Sequence, residues 1–199
     1  LRQGPDLEKI KPGLPDEDLR ASAPVILGYI GNMSPERGIC NLLEACHYLA
    51  YELGYGNWKC ILIGKQTSAC DLLQFAESLN IADHIIFTGF LLPDQWIPKL
   101  RAVDICIDPG SSNPGNDTST TNKMMDYMAL SKPLVVFDLP ERHVTAGESA
   151  LYAHINDNFD LAKKIAILID SPDLRQLMGK IGLQRIQTTY AWQYQRNIL

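Results

Sequence analysis

A polar stretch over 108–121 is the part of this sequence best suited to bind an anion. It is rich in Gly, Pro, Ser and Asn, it follows an apolar run, and it leads into a helical pattern near 119–130. Around the start of that helix stand Asp117, Thr118, Ser119, Thr120 and Thr121. Because the first turn of a helix has unpaired backbone N–H groups and the positive end of the helix dipole, the pattern predicts a phosphate site. Ordinary helix capping by the same Ser and Thr residues is the alternative interpretation.

Two charged side chains follow on the same predicted helix. Lys123 lies in the first turn, where its ammonium group can reach the same phosphate. Asp126 lies three residues later, roughly one turn along the same face of the helix. A carboxylate accepts two hydrogen bonds in a fork, which suits the hydroxyl groups of a ribose or another sugar. The spacing therefore predicts a ligand that carries both phosphate and sugar.

An earlier loop, over 31–38, predicts a second contact to the same kind of ligand. Gly31 allows the backbone to approach a ligand closely, and Arg37 near the next helix start can clamp a diphosphate with two hydrogen bonds. An ordinary strand-to-helix turn with a solvated arginine is the alternative. The loop is not a Gly-x-Gly-x-x-Gly dinucleotide fingerprint, and no Walker motif occurs in the chain.

Composition restricts the partners further. The chain has 199 residues, with 18 Lys and Arg against 23 Asp and Glu, so its formal net charge is −5. This balance does not supply the basic surface that nucleic acid requires, and an anionic ligand must be bound by local geometry. No apolar run approaches the roughly 18–20 residues of a membrane span.

Cysteine usage and the chain start indicate the compartment. The five cysteines form no Cys-x-x-Cys pair and are expected to be buried free thiols, which fits a reducing cytoplasm. The start at Leu1 has no signal-peptide layout, so we expect the chain to be part of a longer cytoplasmic protein. No spacing of His, Cys and Asp is typical of a zinc site, and no nucleophile elbow occurs. We expect neither a metal nor another cofactor.

The elements that position these loops are short apolar runs alternating with helical patterns. The runs lie at 25–31, 60–64, 84–89, 103–109, 133–138 and 150–153. The helical patterns lie near 38–53, 69–79, 93–101, 119–130, 159–170 and 172–189. Unbroken apolar runs are typical of strands covered on both faces, and the alternation predicts right-handed βαβ units. The fold class is therefore α/β, with a doubly wound parallel, Rossmann-like sheet over 25–199 after a lead-in without a core over 1–24.

Ligands of such sheets bind beyond the carboxyl ends of the strands. The residues that directly follow the apolar runs are therefore further candidates for the site. They are Gly31 with Asn32, Gly64 with Lys65, Gly89 with Phe90, the stretch over 108–117, and the stretch over 138–141.

The arrangement resembles a known family, the retaining glycosyltransferases of family 4, in the C-terminal donor domain of their two-domain GT-B fold. The resemblance covers about residues 25–195. It rests on the stretches at 28–31, 37–38, 42–45, 60–64, 86–90, 102–105 and, as the most specific match, 126–136. In this order and spacing they imply the C-terminal half of a GT-B glycosyltransferase.

The family has a signature of two glutamates separated by seven residues. Its second position falls at Asp126, which the resemblance implies binds the ribose hydroxyls of a nucleotide. Its first position falls at Thr118, so the neighbouring Asp117 is expected to bind the transferred sugar, while backbone amides over 119–121 hold the diphosphate. Asn32 occupies the place where Arg is usual, and Arg37 stands where Lys is usual.

The implied reaction is retaining transfer of a glycosyl group from a UDP-, GDP- or ADP-sugar to a glycan, a lipid or another acceptor, as in polysaccharide biosynthesis. In the family the reaction takes place in a cleft between two domains, and we expect the acceptor-binding N-terminal domain to lie outside this chain, which alone would be inactive. No metal is implied, and peripheral association of the full-length protein with the inner face of the membrane stays open.

Two other interpretations remain. The departures at Thr118 and Asn32 would fit a glycosyltransferase-like module that has lost catalysis and serves as a scaffold. A nucleotide-sugar epimerase or dehydrogenase would need a glycine fingerprint after the first strand and an acidic residue after the second, and the sequence over 31–34 and 64–65 supplies neither.

Overall fold

The strands of the chain form one six-stranded parallel sheet. In a computed structural model, which describes residues 5–67, 71–110 and 122–190, the strand order is β3-β2-β1-β4-β5-β6. Their bounds are β1 Val25–Ile30, β2 Trp58–Ile63, β3 Ile85–Gly89, β4 Ile105–Asp108, β5 Leu134–Phe137 and β6 Ala150–Ala153. All five neighbouring pairs are parallel. This order is that of a doubly wound Rossmann-like sheet, and the predicted fold class is confirmed.

Helices cover both faces of the sheet. They are α1 Glu17–Ala21, α2 Ile39–His47, α3 Leu72–Ser78, α4 Pro93–Ala102, α5 Asn122–Ala129, α6 Pro140–Ala146, α7 Asn158–Asp170 and α8 Pro172–Arg185. Two π-helical turns, Tyr48–Glu52 and Ile186–Tyr190, extend α2 and α8. Side chains of a strand alternate between faces, so Leu27 and Tyr29 enter one core layer and Ile26 the other. The unbroken apolar runs are thus explained by burial on both faces.

The segment before β1 packs against the core, whereas its composition predicts a lead-in without a core. Leu19 of α1 is buried in the same core layer as α4 and α5. The Asp16 carboxylate caps α1 by accepting the Leu19 N–H at 2.9 Å, and the Lys99 ammonium lies 2.7 Å from it. Leu19, the half-buried Leu7 and Ile10, and polar contacts to α4 carry this packing, and they do not produce a periodic apolar pattern.

One helix was missed by the sequence pattern. The stretch after β5 reads as a loop, yet residues Pro140–Ala146 form α6 with Pro at its first turn. Its buried side chains include Arg142 and Thr145, so the periodic apolar signal of a packed helix is missing.

Two further properties follow from the described residues. The four cysteines placed in them are free, as predicted. Cys46, Cys60 and Cys106 are buried, whereas Cys40 is only half-buried, and Cys70 lies outside the described residues. No helix within 5–67, 71–110 and 122–190 combines the length and the apolar character needed to cross a membrane.

Candidate functional site

The site lies at the carboxyl edge of the sheet, where β1 pairs with β4. β1 has β2 on one side and β4 on the other, so the strand order reverses direction at β1. This reversal leaves a crevice at the carboxyl ends of β1 and β4. The loops after β1 and β4 therefore flank the crevice, and the start of α5 follows the second of them in the chain.

Two predicted glycines allow the loops after β1 and β2 to pack against each other. Gly31 and Gly64 both have φ of 145°. A Cβ atom at Gly64 would lie 1.9 Å from the Gly31 carbonyl oxygen, so no side chain fits there. The Gly31 N–H donates to the Ile63 carbonyl at 2.9 Å, and the Gly64 N–H donates to the Gly89 carbonyl at 2.9 Å. Loop packing explains these glycines, while a role in ligand binding stays a prediction.

Asn32 and Lys65 line one cavity of about 500 Å³ together with Gln66 and Thr67. The cavity is held by backbone pairing between the two loops, in which the Met33 N–H donates to the Lys65 carbonyl at 3.0 Å and the Thr67 N–H to the Met33 carbonyl at 3.3 Å. The structure thus joins two predicted residues and adds Gln66 and Thr67. These two follow Lys65 directly, which is the only sequence signal that could have found them.

Arg37 lies near the end of the loop over 31–38. It ends the short 3-10 helix Pro35–Arg37 and is exposed. The next residue, Gly38, has φ of 74°, and a Cβ atom there would lie 1.8 Å from the Pro109 carbonyl oxygen. The beginning of α2 is therefore held against the loop after β4, which places Arg37 beside the crevice.

Lys123 contacts Asp108, the last residue of β4. Its Nζ lies 2.9 Å from Asp108 Oδ1 and 4.4 Å from the centre of the Tyr29 ring. The Asp108 side chain is 1% exposed and that of Lys123 is 13% exposed. Burial raises the pKa of the Tyr29 hydroxyl, and the positive charge of Lys123 opposes that rise.

Arg142 completes this cluster, although it is not among the predicted site residues. Its guanidinium lies 3.3 Å from Asp108 Oδ2 and donates to the Gly110 carbonyl at 2.7 Å and the Phe137 carbonyl at 3.2 Å. Arg142 thereby joins α6 to β4, a contact between residues far apart in sequence that no local pattern encodes.

Asp126 lies one turn after Lys123 on α5 and is half-buried. Its carboxylate has no hydrogen bond or ion pair to the part of the chain that the structure describes. Burial raises its pKa to about 7, and no cation in the described residues opposes that rise. A partly buried carboxylate without a partner is suited to accept hydrogen bonds from a ligand.

The other predicted residues are placed less closely or lie outside the described part. Gly89 ends β3, which β2 separates from β1, and Phe90 follows it with a side chain that is 73% exposed. The remaining predicted residues, Asp117, Thr118, Ser119, Thr120 and Thr121, lie outside the described residues. Within 5–67, 71–110 and 122–190 no three His, Cys, Asp or Glu side chains are grouped to hold a metal ion.

Comparison with known proteins shows which family the chain belongs to. The sequence profile described as Glycosyl transferases group 1 matches residues 24–171. The chain belongs to this family. The glycosyltransferase TuaH of Bacillus subtilis, assigned to teichuronic acid biosynthesis, is 27% identical over 116 residues, which are 58% of this chain and 27% of TuaH.

Solved structures share the fold over nearly the whole chain. The C-terminal domain of the group 1 glycosyl transferase LpcC from Francisella tularensis has a TM-score of 0.76 at 20% identity, covering 94% of this chain and 98% of that one. HepE of Anabaena, solved with UDP, has a TM-score of 0.77 at 16% identity, covering 92% of this chain and 51% of HepE. The chain thus spans about a quarter of TuaH and half of HepE, with the fold of a GT-B C-terminal domain.

Proposed function

We propose that this chain is the donor-binding half of a retaining family 4 glycosyltransferase, and that it binds a nucleoside diphosphate sugar in the crevice between β1 and β4. The observation that carries the proposal is the half-buried Asp126 carboxylate, without a partner in the described residues, one turn from the Lys123 ammonium. A carboxylate and a cation at this spacing match the hydroxyl and phosphate groups of such a donor. Family membership and the UDP bound to HepE, which shares the fold, support this choice.

Each predicted site residue receives a role in the proposal. Asp126 accepts hydrogen bonds from the ribose hydroxyls, and Arg37 and Lys123 bind the diphosphate together with backbone amides at Ser119, Thr120 and Thr121. Asp117 and Thr118 bind the transferred sugar. The loops at Gly31, Asn32, Gly64 and Lys65 form the wall of the crevice, and Gly89 and Phe90 lie toward the base.

The chemistry that this arrangement supplies is mainly electrostatic. The leaving nucleoside diphosphate develops negative charge as the glycosidic bond breaks, and fixed cations and N–H groups stabilise that charge. No metal is needed in this scheme, and an N-terminal domain outside this chain binds the acceptor. We expect the acceptor to be a polysaccharide precursor, as the similarity to TuaH suggests. The chain alone then binds donor but transfers nothing.

Calorimetric titration of the chain with UDP, GDP, ADP and NAD tests the proposal. We expect one nucleoside diphosphate to bind and NAD not to bind. The Arg37→Ala variant should weaken that binding by roughly ten- to a hundredfold, since a hydrogen bond between charged groups contributes ~1.5–3 kcal/mol. Lys180→Ala removes one positive charge from an exposed position of α8 and should leave the affinity unchanged.

Two results would contradict the proposal. Binding of NAD in place of the diphosphates would favour a dehydrogenase, and a folded chain that binds none of the four would favour a scaffold. The retaining step needs the full-length protein, in which proton NMR of the product reports whether the anomeric configuration of the donor is kept.

A further inference from the structure

The Asp108 cluster holds more positive than negative charge. Lys123 and Arg142 each lie within ion-pair distance of the one Asp108 carboxylate, so the three groups keep one net positive charge. All three are largely buried, with side-chain exposures of 13%, 5% and 1%. In the part of the chain that the structure describes, no second carboxylate lies within ion-pair distance of either cation. A buried charge without a counter-charge is unfavourable, whereas a single cation with Asp108 would have formed a neutral pair. The surplus positive charge favours the binding of an anion.

The two cations differ in how their donors are used. The Arg142 guanidinium donates to two backbone carbonyls as well as pairing with Asp108, and it is the more deeply buried. An ammonium group has three N–H donors. In the described residues the Lys123 ammonium faces the Asp108 carboxylate and Tyr29, both over its ring and through a hydrogen bond to its hydroxyl. Arg142 is therefore fixed in the interior, and Lys123 is the cation that a ligand can reach.

Tyr29 ties this cation to the loop after β1. Its hydroxyl donates to the Asn32 carbonyl at 2.8 Å, while its ring lies under the Lys123 ammonium. At the same end of β1, the Ile30 N–H donates to the Tyr127 hydroxyl of α5 at 2.9 Å. Residues of β1, β4 and α6 together thus fix the position of Lys123 relative to the crevice.

We infer that Arg142 is a positioning residue for donor binding: it neutralises Asp108, so that the charge of Lys123 remains available to the diphosphate of the donor. This inference rests on the proposed function. Without Arg142, the Lys123–Asp108 pair would be neutral, and the phosphate groups would lose their attraction to it. The role is therefore specific for phosphate and does not extend to the nucleoside.

A charge-rescue experiment tests this inference with UDP and uridine as probes, or with the matching pair if the wild-type chain selects GDP or ADP. The Kd of UDP is measured by calorimetry and that of uridine by competition. Arg142→Met should weaken UDP binding about tenfold and leave uridine binding within about twofold. Adding Asp108→Asn to Arg142→Met restores one net positive charge and should recover most of the UDP affinity.

Arg185→Met is the matched control. Arg185 also donates to two carbonyls of α6, those of Thr145 at 2.9 Å and Val144 at 2.7 Å, but it has no carboxylate within ion-pair distance in the described residues. Its loss removes the same charge and a similar number of hydrogen bonds. The ratio of UDP to uridine affinity should therefore stay at its wild-type value.

Each result decides the inference. If Arg142→Met weakens UDP and uridine equally, or if the double variant binds UDP no better than the single one, Arg142 is only structural and the inference falls. If Arg142→Met does not fold, Arg142→Lys must keep the wild-type affinity ratio and Lys123→Met must lower it about tenfold; either failure overturns the inference. A wild-type chain that binds no nucleotide defeats the proposed function itself.

Discussion

The two ends of β4 each carry an aspartate, and the surroundings of the two differ. At the amino end, Asp104 lies 2.6 Å from Arg20 and accepts the Ile26 N–H at 2.8 Å. The remaining donors of Arg20 go to the carbonyls of Ala102, Ala23 and Pro24. The Arg20–Asp104 pair is itself neutral, a fifth to a third exposed, and used in joining α1 to β4. The Lys132 ammonium also interacts with Asp104, and it donates to the Arg101 carbonyl at 2.7 Å.

At the carboxyl end, Asp108 is buried and has two cations within ion-pair distance. One of them, Lys123, belongs to the helix that also carries the Asp126 carboxylate. At the amino end the ion pair therefore joins parts of the chain, while at the carboxyl end a positive charge remains that a ligand can neutralise. Under the proposed donor-binding role, this edge gives up local stability in favour of ligand binding, as is common for sites with perturbed titratable groups.

The largest contrast is expected from removing each aspartate. Asp108→Ala leaves two buried cations without a carboxylate and should lower the free energy of unfolding by about 3–5 kcal/mol. Asp104→Ala removes a partly exposed pair and one hydrogen bond to a backbone N–H, and it should cost about 1–2 kcal/mol. Urea unfolding at neutral pH measures both values. Equal costs at the two ends would show that the charge cluster at the carboxyl end is screened by water and holds no surplus.

A second contrast concerns pH. The pKa of Asp126 is raised by burial from 3.8 to about 7, so between these values the folded chain binds a proton that the unfolded chain has lost. This difference in proton binding lowers the free energy of unfolding as pH rises through that range. Asp126→Asn should therefore stabilise the chain, with a gain that grows from about pH 4 to about pH 7. At about 1.4 kcal/mol for each pKa unit, the gain reaches at most roughly 4 kcal/mol.

Asp16→Asn is the matched substitution at the amino edge and should have the opposite sign. The hydrogen bond from Lys99, and next the one from the Leu19 N–H, lower the pKa of Asp16 below its ordinary value of 3.8. Its stabilising contribution is present above pH 3.8 and is lost as pH falls below it. Thermal melts of both variants and the wild type across the pH range give the comparison. A gain for Asp126→Asn that is independent of pH would contradict the role of burial.

These contrasts also show which features the sequence could predict. The six strands follow from unbroken apolar runs, because burial on both faces leaves a continuous local pattern. The pairing of loops after successive strands, such as Asn32 with Lys65, follows from the parallel topology alone. Lys123 and Asp126 could be assigned to one helix face by their spacing.

Charge pairing between distant residues could not be predicted in the same way. Asp108 and Arg142 are 34 positions apart and meet only because β4 and β5 are neighbours in the sheet. The helix that carries Arg142 has no apolar stripe to reveal it. The raised pKa of Asp126 likewise depends on burial by tertiary packing, which a carboxylate at a helical position does not disclose.

The smallest expected effect concerns the Lys99–Asp16 pair at the amino edge. Its side chains are 29% and 23% exposed, so Lys99→Met should lower the free energy of unfolding by about 0.5–1 kcal/mol. Because the pair lies at the edge opposite the crevice, the Kd of UDP should not change. Urea unfolding and calorimetry on the same preparation check both statements. If the variant lost UDP affinity without losing more stability than this, the amino edge would influence the crevice through the sheet, and the separation of the two ends of β4 into structural and ligand-binding charges would be wrong.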